Sequence, residues 1–141
     1  MVIRPLTSDY AVSPQIDTAD LPAIKAAGYT TVICNRPDEE VPPSHFSSTM
    51  QAAAEAAGLK FAVVPISARE MTLETVDAHR AALDGSEGPV LAYCASGNRS
   101  SIVWALANAG RVPTDDLIAA GAKHGYQLAQ FRELIERLAQ G

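Results

Sequence analysis

Short apolar runs alternate with amphipathic stretches along the first two thirds of this chain. Runs with strand character span residues 10–16 (YAVSPQI), 29–34 (YTTVIC), 59–66 (LKFAVVPI) and 89–93 (PVLAY). Stretches with helical spacing span residues 18–27, 45–57 and 72–83, and glycines follow the first two directly. This alternation predicts an α/β layer fold. The central sheet should be mostly parallel, with about four to five strands, and helices should flank it. The run at 59–66 is typical of a strand with both faces covered.

The final third of the chain has a helical pattern almost throughout. Helices are predicted over residues 100–109, 114–125 and 126–139, and a glycine stops each of the first two. The last of them places its apolar residues on one face, namely Leu128, Phe131, Leu134, Ile135 and Leu138. Because no linker, repeat or low-complexity tract interrupts the pattern, we predict a single catalytic domain over residues 1–141.

Composition and charge exclude several classes of partner. The chain has 141 residues, of which 48% are hydrophobic and 19% charged, and its net charge is −5. No basic cluster offers a track for nucleic-acid phosphates, and an acidic surface is repelled by anionic membranes. No apolar run approaches the roughly 20 residues of a membrane-spanning helix, and the first ten residues lack the long apolar region of a secretory signal. We therefore expect a cytoplasmic protein with free thiols that binds neither nucleic acid nor membranes.

The segment that carries chemistry is the loop between the strand at 89–93 and the following helix. It reads CASGNRS from Cys94 to Ser100. A helix start presents unpaired N–H groups, and a curled loop before it can aim further N–H groups inward as an anion nest. Gly97 permits the unusual dihedral angles of such a curl, and Arg99 adds a planar set of donors that suits an oxyanion. We therefore predict an anion site, whose loop part would be formed by Ala95, Ser96, Gly97 and Asn98.

A cysteine at the mouth of such a nest is a candidate nucleophile. The positive field should keep Cys94 largely as thiolate near neutral pH, facing a bound oxyanion. Ser100 could donate a hydrogen bond to the sulfur and ease its later departure. Cys34 ends another strand without a glycine-rich loop after it, so we interpret it as a core residue, with a resolving role in redox chemistry as the minor alternative.

Other polar residues give weaker signals. Arg36 is expected at the same edge of the sheet, where it would gather an anion or brace the loop. The favoured alternative is a local ion pair between Arg36 and Asp38 that fixes the turn. His45, His79 and His124 are scattered without metal-ligand spacing, so we predict surface or capping roles for them, no metal site and no cofactor.

Three resemblances to known families follow from these residues. The fragment YCASGNRSS resembles the active-site loop of rhodanese-type sulfurtransferases, whereas the order of elements resembles the dual-specificity branch of the cysteine phosphatases. Both features are combined in the phosphatase-like domain of beta-lactamase-hydrolase-like proteins, which the whole chain resembles. The segments that carry this likeness are YAVSPQI (10–16), VICNRPDEE (32–40), Val64-Pro65 and VLAYCASGNRSSIVW (90–104). The resemblance implies a cysteine-phosphatase-like fold, and it implies a metallo-beta-lactamase-fold, persulfide-handling partner, since some relatives are fused to such a domain.

Differences from true phosphatases favour sulfur transfer over phosphate-ester cleavage. Only four residues separate Cys94 from Arg99, one fewer than in those enzymes, and Tyr93 replaces their usual histidine. The stretch where they carry an aspartic general acid has Glu70 as its first acid. Sulfite leaves from thiosulfate without strong acid assistance, whereas alkoxide departure normally needs a proton. We therefore expect sulfane-sulfur transfer through a Cys94 persulfide to a thiol acceptor.

Two alternatives remain open. The first is a phosphatase that works through a Cys94 phosphocysteine, with Glu70 as the general acid. The second is a non-catalytic anion-binding module. In every case the ligand would be a small anionic sulfur or phosphate compound.

Overall fold

The described residues, 1–69 and 71–141 of a computed structural model, form five β-strands and six α-helices. The strands are β1 (Arg4–Thr7), β2 (Tyr10–Ser13), β3 (Thr31–Cys34), β4 (Lys60–Val63) and β5 (Val90–Tyr93). The helices are α1 (Leu21–Ala26), α2 (Ser47–Ala56), α3 (Leu73–Asp84), α4 (Asn98–Ala107), α5 (Thr114–Ala122) and α6 (Arg132–Gln140). The predicted α/β fold with a helical final third is confirmed.

The strands form a single sheet in the order β1-β2-β5-β3-β4. Apart from the antiparallel pair β1 and β2, neighbouring strands run parallel. The central strand β5 is in register with both neighbours, so that Tyr93 lies opposite Ser13 on one side and Cys34 on the other. The loops after the four parallel strands therefore leave the sheet side by side at the carboxyl ends of these strands, and this edge is where ligands bind in parallel sheets.

Helices cover both faces of this sheet. One face of β2, β3 and β5 packs with residues of α3 to α6, including Val76, Trp104 and Ile135. The opposite face packs with Leu21 from α1 and Met50 from α2. The central strands are consequently buried at every position. This explains their continuous apolar runs, because neither face of these strands meets water.

The two edge strands differ from the sequence-based expectation. The segment Arg4–Thr7 forms β1, which was not among the predicted strands. The strand predicted over 59–66 is shorter, and its residues Lys60 and Val63 are exposed. It is the outermost strand of the sheet, so the interpretation as a strand covered on both faces is wrong.

Helix boundaries follow the predictions within a few residues. Thr72 caps α3 by accepting the backbone N–H of Thr75 at 3.2 Å. The helix after the cysteine loop begins at Asn98 instead of residue 100. The helix predicted over 126–139 is a 3₁₀ turn at Leu128–Phe131 followed by α6. No helix in the described part of the chain has the length and apolar character needed to cross a membrane.

Candidate active site

The loop after β5 reverses direction at a glycine that no other residue could replace without strain. Gly97 has φ +91° and stands immediately before α4. A Cβ atom added to Gly97 would overlap the hydroxyl of Tyr126. Both the left-handed backbone and the close approach of that side chain therefore require glycine at this position.

The carbonyl groups of the loop are held outward by partners from distant parts of the chain. The carbonyl oxygen of Ala95 accepts the backbone N–H of Gln15 at 3.4 Å. The carbonyl oxygen of Ser96 accepts the Tyr126 hydroxyl at 2.9 Å and Nη1 of Arg4 at 3.2 Å. Arg4 also donates to the Tyr126 hydroxyl at 2.7 Å. With these carbonyls turned away, the intervening amides are free to point into the loop.

The amides of the loop and of the first helical turn supply donors for the predicted cradle. Gly97 N–H donates to Cys94 Sγ at 3.1 Å, although the cysteine is only 1% exposed. Four further amides have no hydrogen-bond partner among the described residues, namely those of Ala95, Ser96, Arg99 and Ser100. The sulfur thus accepts one backbone N–H of the loop, and the free amides are donors for an oxyanion.

Arg99 is fixed by a carboxylate that the sequence analysis missed. Its Nη1 donates to Glu40 Oε2 at 2.9 Å and its Nη2 to Glu40 Oε1 at 2.8 Å. Nη1 also donates to the carbonyl oxygen of Ile66 at 2.7 Å. This arrangement occupies the end of the guanidinium and leaves the Nε–H and one Nη2–H along its side.

The electrostatic effect of the pair is mutual. The hydrogen bonds from Arg99 hold the pKa of Glu40 below its usual range. Glu40 in turn raises the pKa of Arg99, and the neighbouring Cys94 sulfur raises it further. Arg99 and the Cys94 sulfur are therefore electrostatic neighbours.

Arg36 reaches this edge of the sheet, as predicted, but its ion-pair partner is different. Its Nε lies 3.4 Å from Oε1 of Glu40, and its Nη1 donates to Gln15 Oε1 at 3.2 Å. Asp38 instead accepts the backbone N–H of Ser47, at the start of α2, at 2.7 Å. The predicted Arg36–Asp38 pair is wrong, because the carboxylate of Asp38 turns away to cap a helix. Arg36 braces Glu40 and, through it, Arg99.

Ser100 does not donate to the cysteine sulfur in this structure. Its hydroxyl proton goes to Asn35 Oδ1 at 2.8 Å, inside the protein. A serine hydroxyl has a single proton, so this bond prevents the predicted donation to Cys94. Ser100 contributes to the site through its free backbone amide.

Burial tests the predictions for the histidines and for Cys34. His79 is completely buried, so the predicted surface or capping role is wrong for this histidine. His45 and His124 do lie nearer the surface, bonded to Asp17 and to the carbonyl oxygen of Pro5. Cys34 is 2% exposed and core-like as predicted, and burial raises the pKa of its thiol.

One predicted site residue cannot be placed. Glu70, the candidate general acid, lies outside the described residues. Its role remains a prediction from the sequence.

The sequence comparisons agree on one family. A family model described as the phosphatase-like domain of beta-lactamase hydrolase-like proteins matches residues 2–111. A beta-lactamase hydrolase-like protein from Xylella fastidiosa strain 9a5c is 33% identical over 141 residues, which cover 99% of this chain and 33% of that protein. The chain therefore spans about a third of the length of the curated relatives it matches.

Solved structures give the same picture. A crystal structure from Neisseria meningitidis, described as a candidate phosphatase, is 34% identical with a TM-score of 0.81, covering 98% of this chain and 99% of that one. A kinase-associated phosphatase, whose catalytic cysteine is replaced by serine, gives a TM-score of 0.72 at 11% identity, covering 93% and 85%. At that identity the likeness shows the fold alone.

These findings contradict the expected sulfur transfer. The matched family is phosphatase-like, and the solved structure at 34% identity is described as a candidate phosphatase. The prediction of a Cys94 persulfide rested on the short spacing to Arg99 and on the lack of an aspartic general acid, and the family match shows it to be wrong. The short spacing does not exclude a phosphoryl group, because the loop and the first helical turn still present four unpaired amides, which are enough donors for three oxygens.

Proposed function

This chain belongs to the phosphatase-like domain family of beta-lactamase hydrolase-like proteins, and on that premise we propose that it is a cysteine-dependent phosphatase of phosphate monoesters. The observation that carries the proposal is the contact of Gly97 N–H with Cys94 Sγ at 3.1 Å, surrounded by unpaired amides. This arrangement places a nucleophilic sulfur beside donors that can receive an oxyanion.

In the first half of the reaction, the Cys94 thiolate attacks the phosphorus atom of the monoester. The bond between phosphorus and the leaving oxygen breaks, and the phosphoryl group is transferred to Sγ as a phosphocysteine. The free amides and the open side of Arg99 receive the three phosphoryl oxygens as their charge develops. Glu40 and Ile66 hold the other side of Arg99, so no reorientation is needed during the reaction.

The leaving oxygen departs as an alkoxide or phenoxide and takes up a proton. Glu70 is the proposed donor of this proton. In the second half, water attacks the phosphocysteine, releases inorganic phosphate and restores the thiolate.

The decisive experiment compares the two cysteines of the chain. We expect the wild type to hydrolyse p-nitrophenyl phosphate and Cys94→Ser to be inactive, because a hydroxyl is not ionised in this site. The matched control is Cys34→Ser, which changes the other buried cysteine and should retain most of the activity. Mass spectrometry of acid-quenched wild type should detect one added phosphoryl group on the peptide that contains Cys94.

Two results would contradict the proposal. One is phosphate release by Cys94→Ser at the wild-type rate. The other is tight binding of inorganic phosphate with no turnover of any aryl phosphate, which would favour the anion-binding module.

A further inference from the structure

A closed set of hydrogen bonds lies beneath the cysteine loop and joins four elements of the fold. Its members are Tyr10 of β2, Asn35 after β3, His79 of α3 and Ser100 of α4, each at most 3% exposed. The Tyr10 hydroxyl lies 2.9 Å from His79 Nε2 and 3.3 Å from the carbonyl oxygen of Ser100. Asn35 Nδ2 lies 3.4 Å from His79 Nδ1, and the Ser100 hydroxyl lies 2.8 Å from Asn35 Oδ1.

The donors and acceptors of this set can be assigned in one consistent direction. Asn35 Nδ2 also donates to the carbonyl oxygen of Val64 at 2.9 Å, which fixes the orientation of the amide. His79 Nδ1 must then accept from Asn35, so that the ring proton lies on Nε2 and is donated to the Tyr10 hydroxyl. Tyr10 donates onward to the Ser100 carbonyl, and the Ser100 hydroxyl donates to Asn35 Oδ1. The four bonds form a ring in which every group is satisfied.

The environment keeps this ring neutral and rigid. Burial lowers the pKa of His79 to about 3, so the imidazole is uncharged at neutral pH. Burial also raises the pKa of Tyr10, and the nearby Cys94 raises it further. The Tyr10 ring stacks on Trp104 with a centroid distance of 5.7 Å. These side chains are buried beneath the loop, and the proposed reaction does not use them.

Ser100 connects the hydrogen-bonded ring to the anion cradle. It follows Arg99 directly, and its backbone amide is one of the free donors of the cradle. Both its carbonyl and its hydroxyl belong to the ring. A shift of Ser100 would therefore move the guanidinium and the amides together relative to Cys94.

We propose that His79 and Tyr10 are positioning residues, which hold Ser100 and thereby aim the amides of the cradle and Arg99 at the substrate. This inference rests on the proposed phosphatase function. It extends that function to two buried side chains that do not touch the reacting atoms.

The test separates positioning from mere stability. Tyr10→Phe removes one hydroxyl and leaves the stacking on Trp104. The matched control is Thr31→Val, which also removes a buried hydroxyl: Thr31 is 2% exposed and its Oγ1 lies 2.7 Å from Ser86 Oγ, at the opposite end of β3. Both variants should lose similar thermal stability. Only Tyr10→Phe should lower kcat for p-nitrophenyl phosphate, by about 10- to 100-fold.

Variants of the histidine supply a rescue experiment. His79→Leu should lower kcat at least as much as Tyr10→Phe, whereas His79→Gln, whose amide can still donate to Tyr10, should recover part of the loss. If His79→Leu does not fold, Tyr10→Phe and His79→Gln still decide the matter. Equal kcat values for wild type, Tyr10→Phe and Thr31→Val would overturn the proposal.

Measurements that do not depend on turnover distinguish the positioning proposal from the phosphatase proposal. Tungstate binding should weaken by about the same factor in Tyr10→Phe and should be unchanged in Thr31→Val. In wild type, ¹⁵N NMR should detect His79 as the Nε2–H tautomer and uncharged across about pH 5 to 8. An Nδ1–H tautomer, or unaltered tungstate affinity in Tyr10→Phe, overturns the positioning role. Absence of Cys94-dependent hydrolysis in wild type refutes only the phosphatase function.

Discussion

Glu40 holds the side chain of Arg99 in one position, so that Arg99 does not behave as a mobile surface cation. An arginine at the protein surface would lose considerable side-chain entropy on binding an anion. Here that ordering is already complete, because the guanidinium is held at its end by two hydrogen bonds and its side chain is only 15% exposed. Arg36 contacts the same carboxylate and helps to hold it in place.

The first prediction concerns the pH dependence of this pair. Glu40→Gln should destabilise the fold by about 1–2 kcal/mol at pH 7, because the pair is partly buried. The pKa of Glu40 is lowered in the folded protein, so its stabilising contribution is complete above the ordinary value of 4.5 and is lost as pH falls through the folded value. Urea unfolding of both proteins should therefore give a difference that shrinks below pH 4.5. A difference that is constant with pH would contradict this assignment.

The second prediction concerns Gly97 and Tyr126. Gly97→Ala should destabilise the loop by about 1–3 kcal/mol for the left-handed backbone, with a further loss from the overlap with the Tyr126 hydroxyl. The double variant with Tyr126→Phe removes that overlap, so its loss should be smaller than the sum of the two single losses. Denaturant unfolding of the four proteins checks this. Strict additivity would mean that the hydroxyl does not limit the space at residue 97.

At the scale of elements, the central strands were predicted with their burial, whereas of the two outermost strands β1 was missed and β4 was predicted with the wrong burial. β3 and β5 are buried on both faces, so burial imposes a continuous apolar run that the sequence displays. β1 has half of its surroundings in solvent and carries no such constraint. His79 belongs to α3, where one polar residue facing the core does not disturb a helical pattern. Its burial depends on packing against β2 and α4, which no local signal encodes.

The residues of the site divide in the same way, into local ones that the sequence predicts and distant ones that it does not. The chain from Cys94 to Ser100 is local, so its spacing and its glycine could be interpreted from the sequence. The groups that complete the site come from elsewhere: Glu40 bonds Arg99 across 59 residues, and Tyr126 bonds Ser96 across 30. Such contacts are set by the sheet order, which the sequence pattern does not specify.

The third prediction tests how α2 is anchored. Asp38 accepts the N–H of Ser47 and lies 3.2 Å from its hydroxyl. Asp38→Ala should cost about 1 kcal/mol of stability, whereas Asp38→Asn should cost only a few tenths, because an amide oxygen caps nearly as well. Thermal unfolding of the three proteins measures both effects. If Asp38→Asn cost as much as Asp38→Ala, a charge interaction would be the dominant contribution instead.

At the scale of the whole molecule, the fold concentrates cations on an acidic protein. The net charge is −5, yet Arg4, Arg36 and Arg99 all contact the loop or its supports at one sheet edge. Four parallel strands end at that edge, and their loops leave the sheet there. An anion should consequently be attracted to this edge and repelled elsewhere.

The last prediction links that edge to global stability. A ligand that binds only the folded state stabilises it by about 2.7 kcal/mol at 100 times its Kd. Tungstate, a tetrahedral oxyanion, should therefore raise the Tm of wild type by about 5–10 °C at such a concentration. Sodium chloride at matched ionic strength is the control, since it screens charge without filling the cradle.

Two arginine variants test whether the tungstate-induced rise in Tm comes from binding at the cysteine loop. Arg99→Ala should lose most of the tungstate effect, because the open side of the guanidinium and its hold on the cradle disappear together. Arg111→Ala removes an exposed arginine that pairs with Asp84 far from the loop, so it should keep the full effect even if its own Tm is lower. Equal tungstate shifts in both variants would mean that the anion binds the general cationic surface and not the cradle around Cys94.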